Sequence, residues 1–150
     1  MSTTTSKDCV ALTVQGEIEL KLSLSDLSLF HRRSRRAKDE LGKESLFEGV
    51  LVYEILQAAG VTFGKELRGK SLADYLLVQT EDGYRVVFAL PELDPTFRDT
   101  EILLVDRRDG ELLAGNDGRL RLIIPDEKRY ARWVRRIVAL SICRAAPWKI

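Results

Sequence analysis

The stretch DGRLRLIIPDEKRYARWVRRI, residues 117–137, indicates the kind of fold that this chain adopts. Its alternating run RLRLIIP predicts a strand that ends at Pro125, because proline cannot donate a backbone hydrogen bond to a neighbouring strand. The segment DEKRYARW predicts a short helix with Asp126 as its N-cap, and VRRIVALSI predicts a closing strand. Strand and helix patterns in such close succession favour a mixed α+β domain.

The rest of the chain repeats this mixture. VALTVQG and EIELKLSL predict two strands with a turn near Gly16, and SDLSLF predicts a short helix with Ser25 as its N-cap. The apolar stripe of GVLVYEILQAAG predicts a helix over residues 49–60, and ADYLLVQT, EDG and YRVVFAL predict a hairpin. PELDPTF predicts a helical turn and EILLVD a further strand. No repeat or linker divides residues 1–150, so we expect one α+β domain in which strands outnumber helices.

The charge balance argues against nucleic acid as a partner. The formal net charge is +1, so no long-range field of one sign draws the molecule to a polyanion. The basic run HRRSRRAKD, residues 31–39, lacks the interleaved aromatic residues that bind single-stranded nucleic acid. We therefore expect this run to be a solvated edge strand or loop, with docking to an acidic protein partner as the alternative.

The sequence also predicts neither a structural metal nor a membrane segment. Cys9 and Cys143 stand near opposite ends, and the chain has one histidine, so zinc sites and disulfide frameworks are disfavoured. The N-terminal MSTTTSKD has no apolar signal core, and no later run approaches the roughly 20 apolar residues of a membrane helix. We expect a soluble protein without a membrane partner, either cytoplasmic or, where an export signal has been removed, periplasmic.

Five segments in a fixed order resemble the molybdopterin-binding domain of the sulfite oxidase superfamily. They are FEGVLVYEILQAAGV, LADYLLVQTEDGYRVVFALPELD, ILLVDRRDGELL, GRLRLIIP and ARWVRRI, and the similarity extends over residues 10–142. The resemblance implies a mixed α/β fold of several twisted sheets around a pocket for molybdopterin, a pterin dithiolene that ends in a phosphate. It also implies oxygen-atom transfer to or from substrates such as sulfite or sulfoxides.

The residue that defines the chemistry of this family is missing. Family members ligate molybdenum through a cysteine thiolate, a soft anionic ligand, on the segment before the first of these motifs. Here that segment is HRRSRRAKDELGKESLFEGV, residues 31–50, and it contains no cysteine. Cys9 and Cys143 do not match the motif position, and we interpret them as small structural residues. We therefore assign no catalytic residue and no metal ligand.

Four residues match positions that the family uses around its cofactor. The resemblance implies that Arg121 reaches the phosphate end, that Arg132 does similar work before a tryptophan, and that Asn116 stands where histidine is common. It also implies that Tyr84, in the turn DGY, approaches the substrate side of the pocket. A guanidinium group suits an anion because it grips two oxygens at once. Spacing alone also allows a structural interpretation of each residue. Arg119 and Arg121 would then lie on the solvent-exposed face of a strand, Arg132 would lie at a solvated helix end, and Tyr84 would be a structural residue of the hairpin.

Three functions remain open at this point. The domain binds a pterin, a nucleotide or another small anion in the former cofactor pocket, without conventional oxidoreductase activity. Alternatively, it is a molybdenum-dependent oxidoreductase in which oxygen or solvent completes the metal's coordination, or it is a non-catalytic scaffold for protein contact. Hydrolases are disfavoured because the sequence has no G-x-S-x-G or H-E-x-x-H motif and His31 stands in a charged segment.

Overall fold

The computed structural model describes residues 9–147, which contain two five-stranded sheets and a few short helices. The strands are β1 Val10–Gln15, β2 Glu19–Ser23, β3 Arg33–Lys38, β4 Glu44–Leu51, β5 Asp74–Thr80, β6 Arg85–Ala89, β7 Leu103–Arg108, β8 Glu111–Leu112, β9 Arg121–Ile123 and β10 Ile137–Arg144. The α-helices are α1 Leu24–Leu27, α2 Val52–Ala58 and α3 Leu90–Leu93. The predicted α+β class, with strands outnumbering helices, is confirmed. The N-terminal MSTTTSKD, in which we expected no export signal, lies outside the described residues.

The two sheets have different topologies. The first has the order β2-β1-β10-β5-β6, and β1 and β10 form a parallel pair in it, with Thr13 opposite Ala139. A parallel pair needs a long connection, and these strands come from opposite ends of the described chain. The second has the order β3-β4-β7-β8, and β9 also pairs with β7.

No helix within residues 9–147 is long and apolar enough to cross a membrane.

One hydrophobic cluster receives side chains from both sheets and from α2. The alternation of β5 and β6 places Leu76 opposite Phe88, and both side chains are fully buried. Ile55 and Leu56 of α2 are equally buried, so the apolar stripe of this helix faces the same core. Truncating a buried phenylalanine to alanine costs about 3–5 kcal/mol, so Phe88 is a principal contributor to stability.

The helix predicted over residues 49–60 begins later than its apolar stripe suggests. Gly49 and Leu51 belong to β4, and they pair with Val105 and Leu103 of β7. A Cβ atom at Gly49 would lie 2.0 Å from the carbonyl oxygen of Leu104, so only glycine fits where the two backbones meet. Long-range strand pairing therefore overrides the local helical pattern up to Leu51.

The helix predicted for DEKRYARW is wrong. Residues 125–136 form an irregular loop, here called the 125–136 loop, between β9 and β10. The backbone N–H of Leu122 donates to the carbonyl of Val134 at 2.9 Å, and that of Arg136 donates to the carbonyl of Asp117 at 3.1 Å. Trp133 and Val134 are buried. Because the loop bonds to distant backbone and buries these side chains, it does not need the hydrogen bonds of a helix.

Two further predictions are refined by the structure. The cap of α1 is Ser23 and not Ser25, because the Ser23 hydroxyl accepts from the Asp26 N–H at 3.0 Å and the Asp26 carboxylate accepts from the Ser23 N–H at 2.9 Å. The basic run forms β3, which is an edge strand of the second sheet. Its Arg33 and Arg35 both form ion pairs with Glu101, so part of its charge is neutralised within the chain.

Candidate functional site

A surface depression of about 380 Å³ lies where several turns meet, and we call it the Tyr84 depression. The turns are the β3–β4 turn, the β5–β6 turn, the 3-10 turn Gly115–Asp117 and the 125–136 loop. The residues that line it are Glu40, Thr80, Asp82, Tyr84, Asn116, Tyr130, Ala131, Trp133, Val134, Arg135 and Arg136. The fold therefore brings together Tyr84 and Asn116, two of the four residues that the resemblance singles out.

The β5–β6 hairpin positions Tyr84. Gly83 has a positive φ of 90°, which suits glycine, and the Tyr84 N–H donates to the Thr80 hydroxyl oxygen at 2.9 Å. The Tyr84 hydroxyl donates to the carbonyl of Ala131 at 3.3 Å, while 52% of the residue stays exposed. The Thr80 hydroxyl also donates to the Asp82 carboxylate, and this bond lowers the pKa of Asp82 below its ordinary value. The hairpin thus presents an aromatic ring and a carboxylate side by side.

The 125–136 loop forms the opposite part of the lining. Trp133 is buried, and its indole N–H donates to the carbonyl of Ile124 at 3.2 Å. Tyr130 packs edge-on against Trp133 with ring centres 4.8 Å apart, and its hydroxyl donates to the carbonyl of Lys38 at 3.0 Å. Arg136 pairs with Glu81 at 2.9 Å. These contacts hold the loop against the ends of two other strands.

Arg121 is fully buried beside the depression and does not line it. Its Nη1 donates to an Asp117 carboxylate oxygen at 3.0 Å, and its Nη2 donates to Glu40 Oε2 at 3.2 Å and to the Trp133 carbonyl at 3.1 Å. The interpretation that places Arg121 on the solvent-exposed face of a strand is therefore wrong. Burial of a charge demands partners of this kind, because an unpaired buried charge costs several kcal/mol.

Arg121 belongs to a cluster of three arginines and three carboxylates, here called the arginine–carboxylate cluster. Its members are Arg108, Arg121, Arg135, Asp39, Glu40 and Asp117. Burial raises the pKa of Glu40, but the hydrogen bond from Arg121 and the charges of Arg121 and Arg135 outweigh it, so the pKa lies below its ordinary value. The cluster carries equal numbers of positive and negative charges.

Arg132 lies outside both the cluster and the lining of the depression. Its guanidinium donates to Glu92 and Glu127, and Nη1 donates to the carbonyl of Val87 in the edge strand β6 at 3.0 Å. The guanidinium carbon lies 4.1 Å from the centre of the Phe88 ring. The hydrogen bond to Glu127 is the main reason that the pKa of Arg132 is raised. Arg132 thus fastens the 125–136 loop to β6.

Sequence reasoning missed several residues that complete the site. Tyr130, Arg135 and Arg136 stand in the quoted stretch, but their spacing does not show which of them reach a common depression. Nothing in the local sequence predicts a role for Glu40, because its partner Arg121 is 81 positions away in the chain. The cluster arises because β3 and β4 are joined by a turn that reaches β9 in the tertiary structure.

Comparisons with known proteins agree with this fold. No protein-family model matches the sequence, and no curated protein matches it. The fold is similar to the sulfane dehydrogenase SoxCD from Paracoccus pantotrophus. The TM-score is 0.70 at 20% identity, and the match covers 94% of this chain but only 39% of that chain. A likeness at this identity concerns the fold, and it supports the fold relation that the five ordered segments predict.

The described residues do not fit the molybdenum cofactor that the resemblance implies. The hairpin of β3 and β4 spans the segment where the family cysteine stands and offers no thiol, while Cys143 lies in β10 of the other sheet. Arg121 and Arg132 already pair with carboxylates, so a terminal phosphate would have to displace them.

Proposed function

We propose that this domain binds a small polar ligand of the pterin class in the Tyr84 depression and has no conventional molybdenum-dependent oxidoreductase activity. The observation that supports the proposal is the lining of the depression, which joins Tyr84, Tyr130 and the Asn116 amide to a balanced set of charges. A pterin ring is flat and uncharged at neutral pH, and its edge carries several hydrogen-bond donors and acceptors. Aromatic surface with a few polar groups is the usual lining of a small-molecule site.

The size and charge of the depression favour such a ligand. A volume of about 380 Å³ lies toward the lower end of the range of small-molecule pockets, which is roughly 300–1,000 Å³. Its lining carries two carboxylates, Glu40 and Asp82, and two guanidinium groups, Arg135 and Arg136. Such a lining attracts neither a dianion nor a dication strongly, but it offers many donors and acceptors to a neutral heterocycle.

The same contacts argue against redox chemistry at a metal. Conventional members of the family hold molybdenum through a thiolate, and the segment of residues 31–50 supplies none. The guanidinium groups of Arg121 and Arg132, which the resemblance assigns to the cofactor, are each occupied by two carboxylates. We therefore do not assign these two arginines to a cofactor phosphate, and we assign contact with the pterin ring to Tyr84 and Asn116.

A fluorescence titration with pterin tests the proposal directly. We expect saturable quenching of pterin by the protein, and a dissociation constant about tenfold or more weaker for Asn116→Ala and for Tyr84→Ala, a change of about 1.4 kcal/mol each. Tyr84→Phe keeps the ring and removes only the hydrogen bond to Ala131, so its affinity should stay within about threefold of the parent.

Gln57→Ala is the matched control, because it also removes an exposed side-chain amide, but from α2 and away from the depression. Equal weakening by Gln57→Ala and Asn116→Ala, or no saturable binding of pterin at all, would contradict the proposed ligand class.

The absence of molybdenum chemistry needs a separate measurement. The protein is produced in a host that makes the molybdenum cofactor, and its molybdenum and pterin contents are determined by elemental analysis and by fluorescence of the oxidised pterin. We expect well below one molybdenum per chain and no sulfite oxidation or sulfoxide reduction. Near-equimolar molybdenum together with either activity would overturn this half of the proposal and favour the oxidoreductase alternative.

A further inference from the structure

One carboxylate in the site is held as a bound ligand is held. Glu40 Oε2 accepts from Arg121 Nη2 at 3.2 Å, and Glu40 Oε1 accepts from Arg135 Nη2. The two guanidinium groups come from β9 and from the 125–136 loop, and they take one oxygen each. Guanidinium groups also bind the carboxylates of ligands, so the arrangement is an anion site whose occupant is a side chain of the protein.

The backbone around Glu40 leaves that side chain room to move. Glu40 stands in the β3–β4 turn, next to Asp39, which is buried and anchored by Arg108 and by the backbone N–H groups of Leu41 and Lys43. At the tip of the turn Leu41 is 87% exposed, and a Cβ atom added at Gly42 would meet nothing within 4 Å. The Glu40 side chain is itself 26% exposed, so it can rotate into solvent while the base of the turn stays in place.

Both arginines keep an anchor when Glu40 leaves. An Asp117 carboxylate oxygen lies 3.0 Å from Arg121 Nη1 and 3.6 Å from Arg135 Nε, so this residue holds the two guanidinium groups together. The Nε atoms of Arg121 and Arg135 are buried and have no hydrogen-bond partner within the described chain, so each has a donor to spare. The pair is thus preorganised for an additional acceptor.

Charge balance indicates which anion fits. With Glu40 in place, three carboxylates match three arginines in the cluster. Rotation of Glu40 into solvent leaves one uncompensated positive charge beside the buried Arg121, and a buried unpaired charge is strongly unfavourable. A monoanionic carboxylate restores the balance and reproduces the shape of the displaced group, whereas a phosphate dianion overcompensates.

We propose that Glu40 is an internal substitute for a ligand carboxylate, and that a small carboxylate-bearing molecule binds by displacing it from between Arg121 and Arg135. This inference deepens the proposed function and rests on it, because the adjoining Tyr84 depression holds the remainder of the ligand. Glu40 and Arg135 both line that depression, so the carboxylate site is continuous with it.

The carboxylate site is tested with acetate as the probe, at constant ionic strength, by the shift of the thermal unfolding midpoint. A ligand that binds only the folded state stabilises it in proportion to the logarithm of its concentration above the dissociation constant. We expect Glu40→Gln to bind acetate about tenfold or more tightly than the parent, because the internal competitor is gone. Glu40→Ala is measured beside it and should show the same gain.

Two further variants separate this site from general charge effects. Glu81→Gln makes the same change of charge and frees Arg136 at the rim of the depression, and its acetate affinity should equal that of the parent. Adding Arg135→Gln to Glu40→Gln should abolish the gain. An acetate affinity of Glu40→Gln and Glu40→Ala no tighter than that of the parent, or an equal gain in Glu81→Gln, would overturn the inference. A larger gain for inorganic phosphate than for acetate would overturn the carboxylate assignment.

A pair of fluorescent ligands distinguishes this inference from the proposed function. Pterin and pterin-6-carboxylate share the same fused ring system and differ by the carboxylate. In Glu40→Gln the affinity for the acid should rise about tenfold, while the affinity for pterin stays unchanged. If both ligands bind and Glu40→Gln increases the affinity for neither of them, the displacement of Glu40 is wrong and the proposed function stands. If Glu40→Gln increases the affinity for acetate but neither pterin nor pterin-6-carboxylate binds, the carboxylate site stands and the pterin assignment is wrong.

Discussion

Arg121 and Arg132 make similar contacts in two different surroundings. Each pairs with two carboxylates, donates to a backbone carbonyl and lies within 6 Å of the centre of an aromatic ring. Arg121 is fully buried, whereas 27% of the Arg132 side chain is exposed. In water an ion pair adds little to stability, but in the interior the loss of one partner leaves the others without compensation. The comparison teaches that burial, and not the number of partners, decides how much an arginine matters here.

The largest effect should come from Arg121→Ala. Removal of the guanidinium leaves Asp117 and Glu40 with fewer cations beside a buried gap, so the free energy of unfolding should fall by about 3–5 kcal/mol. Urea unfolding measures the change, and Arg129→Ala, an exposed arginine of the 125–136 loop, is the control with an expected change within about 0.5 kcal/mol. A loss below about 1 kcal/mol for Arg121→Ala would remove the basis of the comparison.

Acid should weaken both the buried cluster and the contacts of Arg132. Burial raises the pKa of Asp39 and of Glu92, but hydrogen bonds from Arg108 and Arg132 outweigh it, so both pKa values lie below the ordinary ones. The unfolded chain then binds more protons, so this stability is present above about pH 5 and is lost as the pH falls through the folded pKa values.

Urea unfolding between pH 3 and pH 6 tests this, with Asp39→Asn and Glu92→Gln compared at each pH. Each variant should flatten the dependence of the free energy of unfolding on pH by less than about 1.4 kcal/mol per pH unit, the limit for one proton. A steeper dependence in either variant would contradict the assigned direction of the pKa shifts.

Arg132→Ala should cost less than Arg121→Ala. The partly exposed ion pairs contribute little, and the contact with the Phe88 ring adds roughly 0.5–1 kcal/mol, so a loss of about 1 kcal/mol is expected. Arg132→Lys keeps the charge but not the planar fork, and it should recover less than half of the loss. If Arg132→Ala proved as destabilising as Arg121→Ala in the same urea assay, burial would not be the deciding variable.

The smallest effect should follow Tyr84→Phe. The hydroxyl makes one exposed hydrogen bond of 3.3 Å to Ala131, so its loss should change the free energy of unfolding by less than about 0.5 kcal/mol. The same measurement on Tyr84→Ala, read beside the pterin titration, separates a residue that binds ligand from one that only closes a hairpin. A loss above about 2 kcal/mol for Tyr84→Phe would assign Tyr84 to the framework.

The local patterns predicted some elements well and others poorly. The β5–β6 hairpin was predictable because alternation and the EDG turn both act over a few residues. The residue at which the helix after Gly49 begins was not predictable from the local pattern, because pairing with β7 decides where β4 ends. DEKRYARW has helical spacing, yet its backbone bonds to distant partners such as Asp117. Tyr84 and Asn116 were brought to one depression, but which ligand they bind stays a prediction.

By itself the sequence determined the α+β class, the hairpins and the lack of a cysteine in residues 31–50, since these depend on residue identity and on period over short distances. Only the tertiary structure decided which charges meet. Arg121 reads as a surface residue in its strand, and it becomes a buried cation because a turn 81 positions away delivers Glu40 to it. Ion pairing depends on distance and burial in space, and neither quantity is written in the local pattern of the chain.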